Sequence, residues 1–220
     1  MDLLRSPSHF SAVHYIRRLP SSSTPRRPRF SHSNLPFPNY KAKYHRELEA
    51  AIEAVERACS LCVDVSATVL FSTEGRILEK NDQTPVTVTD FGVQALISLR
   101  LRISLTELSK SFPSIPLVAE EDSGYLRVNN LVDAVVTVVT DKASADNKPL
   151  EHDDVLEAID RGGKNATVYC TKPATYWVLD PINGTKGFVK ENRALYVVGL
   201  AIVVEGEIVL GVMGCPQLGG

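Results

Sequence analysis

The chain has 220 residues, a formal net charge of −2 and 44% apolar residues, a composition that suits a globular chain with a core of its own and excludes a disordered or fibrous one. Near-neutral charge leaves no basic footprint for nucleic acid, and no apolar run reaches the roughly 18 residues of a membrane-spanning helix. The expectation is therefore a protein with neither a nucleic-acid nor a membrane partner, whose oligomeric state stays open.

Residues 1–40 differ from the rest. They hold six Arg, eight Ser, six Pro, no Lys and the single acid Asp2. Arg- and Ser-rich, acid-poor composition predicts a transit peptide for the mitochondrion or chloroplast, and the prolines and serines oppose a packed core. The folded part is expected over 41–220. It opens on a long amphipathic helix, with Leu48, Ile52, Val55, Cys59, Val63 and Ala67 at three- and four-residue steps. Cys59 and Cys62 make a C-x-x-C spacing that suggests a redox or zinc motif. No second pair and no spaced histidines complete a metal set, so both are expected as buried or half-buried helix cysteines; Cys170 and Cys215 stand apart.

Pro85–Thr89 reads as a short β-prone run ending at Asp90, which caps or flanks the next helix, FGVQALISLRLRISL. Ile115–Ala119 is a proline-bounded strand running into Glu120, Glu121 and Asp122. Residues 129–142 are rich in valine but flanked by helix-favouring sequence, and either state fits. EHDDVLEAIDRG is a short helix stopped by Gly162 and Gly163. TYWVLD is a strand ending at Asp180, and LYVVGLAIVVEGEIVLGVMGC is two strands joined at Glu205-Gly206. Helices early and strands late predict an α+β layered fold. The expectation from the last hairpin, which has nothing after it to cover its other face, is a chain cut short.

Asp90, the Glu120–Asp122 group and Asp180 are thus placed near strand ends, where side chains reach a common cleft. Any one of them alone reads better as a solvated loop acid than as a ligand. Together, as oxygen-only ligands, they favour Mg²⁺ or Mn²⁺ over zinc. The segment after Asp180, WVLDPINGTKGF, adds a proline-fixed turn, a glycine that lets backbone approach phosphate, and N–H groups at a helix start. Thr185 can orient a water, and Lys186 adds positive charge. An acid and an anion-binding turn in one stretch point to phosphoryl transfer.

WVLDPINGTKGF is similar to the D-P-I/L-D-G-T hallmark of the inositol monophosphatase superfamily, VAEEDSG to its G-E-E segment and TPVTVTDFGVQ to its V-T-x-x-D segment, in the same order. Within the superfamily, Thr-Lys-Gly-Phe, Asp-Phe-Gly-x-Gln and Gly-Cys-Pro resemble the 3′(2′),5′-bisphosphate nucleotidases of plant organelles. The resemblance implies the layered αβαβα sandwich of the sugar phosphatases, in its amino-terminal part. It also implies Mg²⁺-dependent hydrolysis of 3′-phosphoadenosine 5′-phosphate or its sulfated relative, a reaction of sulfur metabolism. It assigns Glu120, Asp180 and the carbonyl of Ile182 to one Mg²⁺ and position 183 to a second. Asp90 and Thr185 would position and deprotonate the attacking water, with Gly184, Thr185 and Lys186 on the substrate and Glu121 one shell out. Asp122 is expected to be a solvated neighbour.

Two departures stand out. Position 183 is Asn where the family motif has Asp, so one negative charge facing the metals is absent; two unit charges 4 Å apart at an effective dielectric of about 20 interact by roughly 4 kcal/mol. The family's later Trp-Asp-x-Ala-type segment is missing as well. The alternatives are an inositol-phosphate phosphatase, which the Thr-Lys-Gly-Phe stretch disfavours, and a non-catalytic member of the family.

Overall fold

A computed structural model describes residues 43–69, 77–79, 85–108, 115–143, 150–163, 166, 175–185, 188 and 195–216. The Arg-rich leader, Cys170, Lys186, the side chain of Ala67 and residues 217–220 lie outside the described residues.

Helix α1 spans His45–Val69. Its buried face includes Leu48, Ile52 and Val55 as the periodicity predicts, but it is widened by Ala51, Ala54, Ala58, Leu61 and Cys62. Val63 is 38% exposed. Four-residue steps overshoot a 3.6-residue turn, so the buried stripe passes to Cys62 and Val63 rotates out. Small alanines on this face suit the close packing of α1 on α2 (Val88–Leu108).

Strands β1 (Ile77–Glu79) and β2 (Pro85–Thr87) pair antiparallel. The β-prone run stops at Thr87, two residues short of expectation, and Asp90 lies inside the first turn of α2 rather than before it. The cause is local: Thr87-Val88-Thr89-Asp90 has the Thr-x-x-acid spacing of a capping box, and the Thr87 backbone N–H donates to Asp90 Oδ2 at 2.8 Å. From Phe91 to Leu99 every residue of α2 is buried, the mark of a helix packed on all sides. Val93, Leu96, Ile97 and Leu101 join the cluster shared with α1 and the main sheet, whereas Phe91, Ala95 and Leu99 join a second cluster.

That second cluster is completed by α3 (Ser123–Val128), α4 (Val132–Ala143) and α5 (His152–Gly162). The valine-rich segment is therefore a helix. Its β-branched residues weaken helix propensity only slightly, and Val135, Val136 and Val139 recover more by burial against α2 and α5. Gly162 ends α5 hard against β3 (Leu117–Ala119): a Cβ there would come within 3.0 Å of both Ala119 Cβ and Leu117 Cδ2.

The main sheet has the order β3-β4-β5-β6, with β4 at Thr175–Asn183, β5 at Val197–Val204 and β6 at Glu207–Gly214. β3 runs parallel to β4 and the other pairs are antiparallel. The expected hairpin turn is present, with Glu205 at φ 51° and Gly206 at φ 88°, the left-handed pair of a tight two-residue connection. Trp177, Leu179, Leu200, Ile202, Leu210 and Val212 face α1 and α2. The opposite face carries Val178, Ile208 and Met213, all exposed. The chain is thus α+β, as expected, with helices on one face of a mixed four-stranded sheet.

Cys59 and Cys62 sit half-buried and buried on α1 with free thiols. Burial, then the neighbouring Cys215 and Glu56, push the Cys59 thiol up to about 12, and burial pushes Cys62 well up too. An acid whose folded pKa is raised binds its proton more tightly when folded. Stability is therefore whole below the ordinary value of 9.0 and is lost as pH rises from there towards 12. We expect the unfolding free energy to fall above pH 9, by about 1.4 kcal/mol per pH unit for each such thiol, and the urea midpoint to fall with it. Urea titrations at pH 8, 9 and 10 check this, with Cys59→Ala expected to give the shallower slope; an identical slope would refute the assignment.

Candidate active site

The site is assembled from three chain segments meeting at one end of the sheet. The first is the start of α2. Asp90 is 4% exposed, and its Oδ2 accepts from both the backbone N–H of Thr87 at 2.8 Å and the Thr87 hydroxyl at 2.6 Å. One carboxylate oxygen is thereby committed to the helix start. The other, Oδ1, faces the hydroxyl of Thr185 at 3.4 Å.

The second segment follows β3. Glu120 is exposed and Glu121 is buried. The path of this acidic turn is set from below by Gln94, fully buried on α2: its Oε1 accepts the Glu121 N–H at 2.9 Å, and its Nε2 donates to the carbonyls of Glu121 and Ile159 at 2.7 and 2.8 Å. Asp160 of α5 accepts from the Ser123 backbone N–H and hydroxyl at 3.0 and 2.8 Å. Asp122 is not a merely solvated neighbour, because its Oδ1 caps α3 by accepting from Gly124 N–H at 2.6 Å. Gly163, past the end of α5, passes so close that a Cβ would lie 2.0 Å from the Glu121 carbonyl oxygen. Gln94, Ser123, Asp160 and Gly163 drew no functional assignment from the sequence. The available signals were the place of Gln94 at the end of Asp-Phe-Gly-x-Gln, as an amide inside the apolar run from Phe91 to Leu99, and the place of Ser123 in VAEEDSG.

The third segment is the end of β4. The strand does not stop at Asp180 but continues to Asn183. Asp180 pairs with Gly199 and Asn183 with Val197, so three steps along β4 match two along β5. This is a β-bulge with one extra residue in the stretch 181–182, where Pro181 has no N–H to give a ladder. The consequence is chemical. In a regular strand, residues three apart point to opposite faces; here the extra residue returns Asn183 to the side of Asp180, and Asn183 Nδ2 donates to Asp180 Oδ2 at 2.8 Å. Beyond the bulge, Gly184 takes φ 91°, and a Cβ on it would lie 3.3 Å from the Leu195 carbonyl, so the turn needs glycine. Thr185 then donates to the Ile182 carbonyl at 3.0 Å, and Phe188 N–H to the Gly184 carbonyl at 3.1 Å, opening a helical turn.

The structure therefore joins Asp90, Thr185 and Ile182 in one hydrogen-bonded group and Asp180 with Asn183 in another. Glu120 stands one residue beyond the parallel pair Ala119–Leu179, leaving β3 at the same end at which Asp180 follows Leu179 on β4. Among the described residues no group of three or more His, Cys, Asp or Glu side chains is gathered to hold a metal ion.

The sequence profile of the inositol monophosphatase family matches residues 43–220. The chain belongs to that family. It is 60% identical over its whole length to an Arabidopsis thaliana protein named "Putative 3'(2'),5'-bisphosphate nucleotidase, mitochondrial", covering 54% of that protein. It is 40% identical to the 3',5'-bisphosphate nucleotidase 2 of Arabidopsis thaliana, with 80% of this chain and 48% of the relative aligned. It is 37% identical to a 3'(2'),5'-bisphosphate nucleotidase of Oryza sativa, with 80% of this chain and 47% of the relative aligned. The chain spans about half the length of these curated relatives.

The donor chemistry at this family member's site fits a hard divalent cation. Glu120, Asp180 and the Ile182 carbonyl are all oxygen donors, the kind of ligand that Mg²⁺ prefers, whereas Asn183 turns its Nδ2 to Asp180. Asp180 already draws a partial positive charge, in the form of the Asn183 amide, to its Oδ2.

Proposed function

We propose that this chain is a phosphatase that removes the 3′-phosphate of 3′-phosphoadenosine 5′-phosphate or its sulfated relative, using Mg²⁺ held by Glu120, Asp180 and the Ile182 carbonyl. The observation that carries the reading is the meeting of Asp90 with Thr185, 95 residues apart in sequence, beside the bulge that bears Asp180. The names of the three relatives support the substrate class. The Arg- and Ser-rich leader, with the mitochondrial relative, supports action inside that organelle, where a fluorescent fusion of the full chain should collect.

The cation, when bound, would polarise the phosphoryl oxygens and offset charge on the leaving oxygen. The chain's own residues handle the proton. Thr185 Oγ1 accepts a hydrogen bond from the attacking water as its own proton turns to Asp90 Oδ1, so the carboxylate receives a proton through the hydroxyl. The two Thr87 donors on Oδ2 hold Asp90 in that orientation. Gly184, exposed and free of a side chain, lets a phosphate approach the turn, and Lys186 supplies a positive charge two residues on.

The test is phosphate release from 3′-phosphoadenosine 5′-phosphate by the full chain with Mg²⁺, with inositol 1-phosphate as comparison. Faster release from the nucleotide is expected, with loss of activity in EDTA. Faster release from inositol 1-phosphate would replace this reading with that of an inositol-phosphate phosphatase. The Asn183–Asp180 hydrogen bond favours a second reading, a chain that binds the nucleotide without turnover. Nucleotide binding with no phosphate released would establish it.

A further inference from the structure

We infer that Asn183 is a built-in hydrogen-bond donor standing where a second cation would otherwise be needed, so that this site takes one divalent cation and keeps its shape with none. The cation count rests on the phosphatase reading above; the role of Asn183 as a clamp does not.

The argument starts from the bulge. By adding one residue it brings positions 180 and 183 to the same side, with their polar atoms 2.8 Å apart. An ionised carboxylate has only acceptors, so whatever sits that close to Asp180 must donate or carry positive charge. A carboxylate at 183 could do neither: the two acids would repel until a proton or a cation came between them. The Asn183 amide removes the conflict, because Nδ2 donates directly to Asp180 Oδ2. Next to it, Thr185 satisfies the Ile182 carbonyl in the same way, at 3.0 Å. Both positions beyond the bulge that present oxygens are thus satisfied from within the chain.

One cation can still be accommodated. Asp180 Oδ1 and Glu120 supply negative charge, and the Ile182 carbonyl retains a second lone pair. A further cation at 183 would have to strip the amide from Asp180 and would gain only a neutral oxygen in exchange. The coulombic attraction that a carboxylate would offer a cation at this position is absent from an amide, which carries no net charge. The substitution thus trades a second cation for cation-independent order in the loop.

The experiment compares the full chain with its Asn183→Asp and Asn183→Ala variants. Thermal melts in EDTA read the clamp. Both variants are expected to melt roughly 2–6 °C below the parent, Asn183→Asp the lower of the two because it adds repulsion as well as removing the donor. Mn²⁺ titration followed by electron paramagnetic resonance, which counts bound ions without any activity, reads the site. The parent is expected to bind one ion and Asn183→Asp two, the first of them at least about 10-fold tighter than in the parent. Equal melting of parent and both variants in EDTA overturns the clamp, and two ions bound to the parent overturn the one-cation site. If no protein binds Mn²⁺, the phosphatase reading falls with the cation count, while the EDTA melts still decide the clamp.

Discussion

Asp90→Asn is expected to lower phosphate release by about 10²- to 10⁴-fold while leaving the fold in place. The two oxygens of Asp90 do different jobs. Oδ2 receives the backbone N–H and hydroxyl of Thr87 and closes the start of α2. Oδ1 faces Thr185 and is the atom on which the proton would arrive. An asparagine side chain retains one oxygen, and two buried donors at 2.8 and 2.6 Å select it for the Oδ2 position. Its NH₂ then points at Thr185, whose hydroxyl must turn wholly to the Ile182 carbonyl. The helix start survives and the proton acceptor does not. Asp90→Ala removes both, and should add a loss of about 1–2 kcal/mol from the missing cap. Rates and melting curves on the two variants separate the roles: Asp90→Asn retaining a tenth or more of the activity would reduce Asp90 to a capping residue.

Gly163→Ala should be the most damaging conservative change to stability. The new methyl carbon would stand 2.0 Å from the Glu121 carbonyl oxygen and 3.0 Å from its carbonyl carbon, with Asp122 Cα at 3.5 Å. These are backbone atoms, which cannot swing aside as a side chain does, so relief requires moving either the end of α5 or the acidic turn itself. That turn is tied to α2 through Gln94 and to α5 through Asp160, so its displacement breaks buried hydrogen bonds as well. Overpacking of this kind costs about 3 kcal/mol, a drop of roughly 6–12 °C in Tm for a chain of this size. Gly162→Ala is the control: its contacts at 3.0 Å are with the side chains of Ala119 and Leu117, and it should lose less than half as much. Equal losses would show that the turn yields easily and that Gly163 does not set its position.

Much of this protein is written locally. The Glu205-Gly206 turn, the strands flanking it, the helix ended by Gly162 and Gly163, and the amphipathic α1 all follow from periods and turn residues that act within a few positions. The family-like motifs around Asp90, Glu120 and Asp180 were readable for the same reason, since each is a contiguous string. Long-range packing decided the rest. Valines at 135, 136 and 139 became helical because α2 and α5 offered them burial, and Val63 was turned outward by the drift of a stripe whose partner is another helix. Asp90 reaches Thr185 across 95 residues. Asp180 and Asn183 share a side only because β4 carries one residue more than β5 at that point. A bulge is a mismatch between two strands, and a buried amide such as Gln94 has meaning only once its carbonyl and N–H partners surround it. Neither is a property of one segment, and so neither is visible until the segments meet.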